Sequence, residues 1–259
     1  MSIHPSSVIS DSAKIDPSVE IGPFCIIGDD VEIGSGSSIL SHSILKGPTK
    51  IGINNIIYQF SSIGEDTPDK KYKGEKTELI IGDNNIFREG VTIHRGTVQD
   101  KAVTKIGNDN LFMAYAHVAH DCIVGDSNVF ANSAGIAGHV EVGSFVTIGG
   151  FSAVHQFCIL GDYSFVGMNS SITMDVPAYV KVASNPARVI GLNSVGMSRN
   201  EISSESISLI KKAYKLVYKK GYRLEDAINK LVLLSKESDD KFLDAFIKSI
   251  QSSTRGILR

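Results

Sequence analysis

The sequence predicts a mainly β protein: a parallel β-helix of hexapeptide repeats, followed by a small C-terminal α-helical domain. Every sixth residue from Ile106 to Ile172 is apolar, in one unbroken register of twelve positions. A fixed period this short is typical of a β-solenoid. The same period runs from Ile3 to Ile63, and from about Ser203 it gives way to the spacing of an amphipathic helix.

Each hexad predicts one short strand followed by a turn. The periodic aliphatic residue and the residue two positions before it point inward, and the residue between them points outward. Glycine often follows the aliphatic residue, where we expect it to let the chain turn without a Cβ clash. Three strands close one triangular coil of roughly 18 residues, so each residue stacks on its counterpart one coil earlier.

The period is interrupted near 65–78 and again near 99–105, which predicts two loops that leave the solenoid surface. The first segment is charged and contains Pro68 and Gly74. Long loops in a uniform solenoid tend to mark its binding face. The alternative is that these loops are surface insertions without a function. The predicted domains are residues 1–190 for the β-helix and 191–259 for the helical domain.

The helical domain is predicted from an apolar stripe with lysines mostly on the opposite face. We interpret the lysine face as a solvated surface rather than a docking patch for an acidic partner. Two more helices are expected at Leu224 to Leu234 and Phe242 to Ile250. The residues of the first helix that form its apolar stripe are Ile207, Ile210, Tyr214 and Val217.

Composition and charge restrict the possible functions. The chain has 259 residues and a formal net charge of −2, so nothing predicts a general attraction to nucleic acid or membranes. There is no transmembrane-length apolar run and no secretory signal pattern near the N-terminus. An odd number of widely spaced cysteines predicts a cytoplasmic protein. Cys25, Cys122 and Cys158 occupy small inward positions, which predicts buried rather than reactive thiols.

Stacking at 18 residues brings four of the seven histidines to one corner of the prism. Residues 117–121 then lie under 135–139, which lie under 153–157; we call these turns the histidine corner. If the second loop is an insertion, His94 joins them beneath Ala119. Core packing does not explain imidazoles on an outward corner, so we interpret the cluster as a functional site. The corner holds His117, His120, His139, His155 and Gln156.

Two kinds of chemistry fit this cluster. Asp121 directly follows His120 and could hold its tautomer, so that the imidazole deprotonates a hydroxyl attacking a thioester. The Gly138 N–H, one coil above, could then donate to the oxyanion. Alternatively, three stacked imidazoles could ligate zinc and activate water. No serine- or cysteine-type nucleophile accompanies the histidines, so a covalent acyl-enzyme is not expected.

Several long motifs carry a resemblance to a known family. They are Ile-His-Arg-Gly-Thr at 93–97, Ala-His-Val-Ala-His-Asp-Cys at 116–122, Ala-Gly-His-Val at 137–140, Ala-Val-His-Gln-Phe-Cys at 153–158 and Ser-Thr-Arg-Gly at 253–256. Over its whole length the chain closely resembles the UDP-N-acetylglucosamine O-acyltransferases of lipid A biosynthesis.

The resemblance implies a left-handed β-helix and a homotrimer with active sites between subunits. It also implies the reaction: an (R)-3-hydroxyacyl chain passes from acyl carrier protein to the 3-hydroxyl of UDP-N-acetylglucosamine. The carrier-protein thioester is then a co-substrate, and no cofactor or metal is expected.

The resemblance further implies roles for individual residues. His120 matches the general base, Asp121 its orienting partner and Gly138 the oxyanion donor. Asn193 and Arg199 match positions on the nucleotide side. Positions that match contacts to sugar, pyrophosphate or acyl chain are Asp69, Lys71, His117, His139, His155 and Gln156, and His94 is added from the stacking argument.

The sequence departs from the family pattern at three positions. Val195 replaces a Glu, and Asn200 replaces an Arg, in the nucleotide region. Met168 stands where some relatives have Gly at the far end of the acyl groove. A bulky thioether there should shorten the groove, which favours a chain of ten to twelve carbons over fourteen at about 0.8 kcal/mol for each buried CH₂.

Two other enzymes remain as alternatives. One is a metal-dependent hydratase of the γ-carbonic-anhydrase type, which shares the solenoid and its histidine ligands. The other is a sister acyltransferase that N-acylates a related UDP-sugar. That family usually carries an extra N-terminal domain, whereas here the hexads begin at Ile3. A purely structural solenoid is the least favoured, since it would not explain the histidine corner.

Overall fold

The computed structural model describes residues 2–259, so Met1, the first residue of the predicted β-helical domain, lies outside it. Parallel strands wind into a left-handed β-helix of triangular cross-section, and helices follow at the C-terminal end. Each coil gives one strand to each of three sheets. The predicted fold class is confirmed.

The strands of residues 2–259 fall into three sheets, one along each face of the prism. Sheet 1 contains Ser2–Ile3, Glu20–Ile21, Ser38–Ile39, Ile56–Ile57, Ile86–Phe87, Leu111–Phe112, Val129–Phe130, Thr147–Ile148, Phe165–Val166, Val180–Ala183 and Arg188–Leu192. Sheet 2 contains Val8–Ile9, Ile26–Ile27, Ile44–Leu45, Ser62–Glu65, Thr92–His94, His117–Val118, Gly135–Ile136, Ala153–Val154 and Ser171–Ile172. Sheet 3 contains Lys14–Ile15, Val31–Ile33, Thr49–Ile51, Glu78–Ile81, Val103–Ile106, Ile123–Val124, Glu141–Val142 and Ile159–Leu160.

The pairing register confirms a coil of 18 residues where no loop intervenes. Ser2 pairs with Glu20, and Val118 pairs with Ile136. From Ile21 onwards the periodic residues are buried inside the prism, as the hydrophobic effect requires of a continuous apolar column, whereas Ile3, Ile9 and Ile15 are partly buried. Three of them form an internal aromatic stack, with ring centroids 5.1 Å and 4.6 Å apart: Phe87, Phe112 and Phe130.

Glycine after the aliphatic residue allows neighbouring coils to stack closely, because it has no Cβ. A Cβ on Gly52 would lie 2.6 Å from the carbonyl oxygen of Gly82 in the next coil. The bend itself falls two residues later, at a residue in the left-handed region such as Asn54, with φ of 55°. The predicted Cβ clash is therefore present, but with the neighbouring coil rather than within the turn.

Both predicted loops leave the solenoid, and the bounds of the second one are corrected. The first spans 66–77, between Ser62–Glu65 and Glu78–Ile81. The second spans 95–102, because the strand Val103–Ile106 begins inside the range 99–105 predicted as loop. This strand is longer than the usual two residues, since it pairs along its whole length with Glu78–Ile81.

The C-terminal part contains four helices: α1 (Ser194–Arg199), α2 (Ser204–Tyr218), α3 (Leu224–Ser238) and α4 (Lys241–Gln251). The last three were predicted, and α2 buries its apolar stripe while its lysines stay exposed. Helix α1 and the antiparallel hairpin that precedes it were not predicted, because both are too short to show a period.

The C-terminal tail is fastened to the last coil through the buried carboxylate of Asp175. This group accepts hydrogen bonds from the Ser253 hydroxyl at 2.6 Å and from the backbone N–H groups of Thr254 and Arg255. Hydrogen bonds to a buried charge are among the stronger ones in proteins. The Ser-Thr-Arg-Gly motif therefore closes the end of the solenoid.

The cysteines are free and buried, as predicted. Burial raises the pKa of the Cys122 thiol to about 12 and that of Cys158 to about 11. Since the thiolate is the reactive species, neither thiol is suited to nucleophilic attack. Among the described helices, none has the length and apolar character needed to cross a membrane.

Candidate active site

The histidine corner lies in the turns from sheet 2 to sheet 3. His117 pairs with Gly135, which pairs with Ala153, so the predicted stacking of the three turns is confirmed. Ile93 pairs with Val118, which places His94, the last residue of the strand Thr92–His94, in the coil below Ala119. The rings of His94 and His117 are 5.1 Å apart between centroids.

His120 and Asp121 form a hydrogen-bonded pair at the centre of this corner. The Nδ1 atom of His120 lies 2.9 Å from a carboxylate oxygen of Asp121. Asp121 is fully buried, and Thr97 donates to its carboxylate from both the backbone N–H and the hydroxyl. Burial alone would raise the pKa of Asp121, but the hydrogen bonds from His120 and Thr97 outweigh it and hold the pKa below its usual value.

This pairing defines the chemical state of His120. An ionised carboxylate can only accept, so Nδ1 of His120 donates the proton, and the neutral imidazole in this tautomer keeps its lone pair on Nε2. His120 is partly exposed while Asp121 is not, with side-chain exposures of 14% and 0%. The arrangement is that of a general base supported by a buried carboxylate.

Gly138 lies directly against the His120 ring. A Cβ on Gly138 would lie 2.5 Å from Cε1 and 2.6 Å from Nε2 of His120. Within residues 2–259, the Gly138 N–H donates no hydrogen bond. The backbone N–H groups of His120 and Gln156, at the equivalent positions of the neighbouring turns, also donate none. What distinguishes Gly138 is therefore its place beside the basic nitrogen, where an N–H donor can meet an oxyanion.

His139 is held by two neighbours. Its ring stacks on Phe157 with centroids 4.4 Å apart and planes 6° apart. Its Nδ1 atom lies 2.7 Å from the carboxylate of Asp100 in the second loop. Its ring meets that of His120 edge-on at 4.9 Å between centroids.

The remaining histidines differ in burial. His117 Nδ1 bonds the Thr92 hydroxyl at 2.7 Å, and burial, with His120 nearby, lowers its pKa. Burial, with a smaller contribution from His117, lowers the pKa of His94 to about 4, so both are neutral near pH 7. His155 and Gln156 are exposed at the top of the corner.

The first loop is anchored to the histidine corner by Arg95, the residue after His94. The buried guanidinium donates to the Gly64 carbonyl and to the Asp66 carboxylate, and it lies 3.2 Å from the Tyr72 hydroxyl. Tyr72 in turn donates to Asp66 at 3.0 Å. Asp69 and Lys71 are therefore carried by a loop that is fixed to the corner.

Three predicted site residues lie elsewhere in the chain. Asn193 is buried, and its amide caps α1 through Gly196 and donates to the Tyr163 carbonyl. Arg199 is exposed at the end of the same helix. Met168 is 72% exposed in a turn from sheet 1 to sheet 2, on a different edge of the prism.

The sequence pattern did not predict that Thr97 and Asp100 contact the site. It also did not predict that Arg95 anchors the first loop. All three lie in the second loop, where no period assigns a position. A signal for Arg95 and Thr97 was present, because both belong to the motif at 93–97.

The ligand atoms of His120, Asp121 and His139 lie within 4.8 Å of one another, which is close enough to surround a metal ion. However, the Asp121 carboxylate already accepts from Thr97 and His120. A cation would have to displace these donors and turn the His120 ring. The donor set therefore favours the general base over the metal centre.

A left-handed hexapeptide β-helix, with a histidine corner whose donor set favours a general base over a metal ion, indicates the class of hexapeptide-repeat transferases. In agreement, the family model described as bacterial transferase hexapeptide matches residues 6–41 and 104–138. A second model, described as domain 2 of UDP N-acetylglucosamine O-acyltransferase, matches residues 175–258.

Relatives and solved structures extend the match to the whole chain. The acyl-acyl-carrier-protein–UDP-N-acetylglucosamine O-acyltransferase of Stutzerimonas stutzeri is 51% identical over 259 residues, 99% of each chain. The crystal structure of the UDP-N-acetylglucosamine O-acyltransferase of Moraxella catarrhalis superposes with a TM-score of 0.96 at 48% identity, covering 100% of both chains. The Arabidopsis enzyme gives a TM-score of 0.87 at 34% identity, covering 99% of this chain and 100% of its own. The chain belongs to the UDP-N-acetylglucosamine O-acyltransferase family.

Proposed function

We propose that this protein transfers an (R)-3-hydroxyacyl chain from acyl carrier protein to the 3-hydroxyl of UDP-N-acetylglucosamine, the first step of lipid A biosynthesis. The names of the relatives give acyl-acyl carrier protein and this UDP-sugar as their substrates. The proposal rests on the His120–Asp121 pair, because in the Nδ1–H tautomer Nε2 of His120 lies beside Gly138, whose N–H donates no hydrogen bond within residues 2–259.

We propose a reaction that this geometry supports. His120 Nε2 takes the proton of the sugar hydroxyl as its oxygen attacks the thioester carbonyl carbon. The Gly138 N–H donates to the oxyanion of the tetrahedral intermediate, and Asp121 stabilises the imidazolium. When the C–S bond breaks, His120 returns the proton to the carrier-protein thiolate. The steps balance without a covalent enzyme intermediate, a cofactor or a metal.

The face of sheet 2 above His117 offers a path for the acyl chain. The outward residues stacked above His117 are small: Gly135, Ala153 and Ser171. A Cβ on Gly135 would meet only the Cβ of His117, at 3.8 Å, so the space above this strand is open. We propose that these residues form the floor of the acyl groove and that Met168 limits its length.

The expected acyl preference of the wild-type protein is ten to twelve carbons. Changing Met168 to Gly should shift the optimum towards fourteen, because each added CH₂ then gains about 0.8 kcal/mol of burial. The measurement is the initial rate over a ladder of 3-hydroxyacyl carrier proteins. A fourteen-carbon optimum in both proteins would show that Met168 does not set the length.

We assign the acceptor substrate to the first loop, the histidines and α1. Asp69, Lys71, His94 and His117 would contact sugar, pyrophosphate or acyl chain. The same holds for His139, His155 and Gln156. Asn193 and Arg199 would lie on the nucleotide side. Of these two, Arg199 is the more suited to direct contact, since the Asn193 amide is already committed to capping and to Tyr163.

A homotrimer in the cytoplasm completes the proposal. Large apolar side chains are exposed along the turns from sheet 1 to sheet 2, with Phe60, Tyr115 and Phe151 each 66–70% exposed. Exposed apolar patches of this kind mark protein–protein contacts. A second chain against this edge would cover them. The three free cysteines support a reducing compartment.

The function is tested by mass spectrometry of the product formed from UDP-N-acetylglucosamine and a mixture of acyl carrier proteins. The expected product is a UDP-sugar with one 3-hydroxyacyl group. Mild alkali should release this acyl group, because it is attached through an ester bond. An alkali-stable product from a 3-amino UDP-sugar, with none from UDP-N-acetylglucosamine, would favour the N-acyltransferase instead.

A further inference from the structure

The second loop crosses the histidine corner and is tied to two successive coils. Thr97 donates to Asp121 in the lower coil. Asp100 and Lys101 reach the coil above, where they bond His139 at 2.7 Å and Glu141 at 2.9 Å. The loop therefore has a defined position relative to both histidines of the proposed mechanism.

The orientation of the His139 ring depends on Asp100. Stacking on Phe157 fixes the plane of the ring, but it does not determine which nitrogen carries the proton. Within residues 2–259, the only other carboxylate near Nδ1 is that of Asp121, at 4.0 Å, which is beyond hydrogen-bond distance. Asp100 is thus the group that selects the tautomer of His139.

We propose that Asp100 is a positioning residue that holds His139 in its Nδ1–H form, which keeps Nε2 as a hydrogen-bond acceptor for a hydroxyl or N–H donor of the UDP-sugar. The inference rests on the proposed function for the identity of that ligand. Its physical basis is that a carboxylate can only accept, so the imidazole nitrogen facing it must donate. The same logic, applied through Asp121, leaves Nε2 of His120 as the base.

The test replaces Asp100 by Asn, which keeps the shape and removes the charge. An Asn amide can present either its oxygen or its NH₂ group to Nδ1, so it no longer selects one tautomer. The matched control is Gln99→Ala, because Gln99 is exposed in the same loop and its side chain makes no hydrogen bond within residues 2–259. Asp100→Glu keeps a carboxylate and should partly restore the Nδ1–H form of His139.

Two measurements are made on the full-length protein. Long-range ¹H–¹⁵N spectra, with His139 assigned by comparison with His139→Gln, should show the Nδ1–H form in the wild type and the control, and a mixture in Asp100→Asn. Steady-state kinetics should show KM for UDP-N-acetylglucosamine raised about tenfold in Asp100→Asn, with kcat changed by less than about twofold.

The outcomes separate the two proposals. An unchanged tautomer in Asp100→Asn, or a KM equal to that of Gln99→Ala, overturns the role of Asp100 while leaving the transferase intact. A wild type that forms no acylated UDP-sugar overturns the proposed function, and the tautomer measurement still decides whether Asp100 positions His139.

Discussion

Replacing His120 by Ala is expected to lower kcat by about two orders of magnitude or more while the fold stays intact. Among the described histidines, only His120 combines a lone pair fixed by a buried carboxylate with a neighbouring N–H donor. His94 and His117 cannot take over, because one has a pKa of about 4 and the pKa of the other also lies below its usual range. Both are therefore weaker bases than an ordinary imidazole.

The measurement is single-turnover and steady-state transfer with purified protein, accompanied by circular dichroism and thermal melting. His4→Ala is the matched control, since His4 is exposed in the first coil and plays no part in the site. We expect the control to keep wild-type rates. Activity of His120→Ala within a few-fold of wild type would exclude His120 as the base.

Most of the solenoid follows from the sequence because the period determines the register. Once Val118 and Ile136 both point inward, their neighbours His117 and Gly135 must stack, and the histidine corner follows. The same argument correctly placed His94 beneath Ala119, although a loop separates the two coils. Helices α2 to α4 were predictable for the related reason that their apolar stripes are long enough to show a period of 3.6 residues.

The parts of the site that the sequence did not reveal depend on contacts between segments without a period. Asp100 reaches His139 across 39 positions, and Arg95 reaches Asp66 across 29. Neither contact leaves a pattern in the chain, because a loop side chain finds its partner only after both segments have been placed. Similarly, the cap made by Asn193 depends on Tyr163, which lies in the β-helix.

Changing Gly138 to Ala is expected to lower kcat by about 100-fold, although it adds only one methyl group. That methyl carbon would lie 2.5 Å from Cε1 of His120, well inside van der Waals contact, so the ring must move away. His120 cannot move without stretching its bond to Asp121, which Thr97 and Thr104 hold in place. The displaced Nε2 would then no longer meet the sugar hydroxyl and the Gly138 N–H together.

The control for this change is Gly28→Ala, in an equivalent row of turns near the N-terminus. Its Cβ would approach no atom closer than 3.3 Å, so a small shift accommodates it. We expect kcat and a melting temperature close to those of the wild type for this variant. The His120 ring signals should shift only in the Gly138 variant. If Gly138→Ala kept wild-type kcat, its backbone would not set the position of the base, and the oxyanion donor would have to be sought elsewhere on the corner.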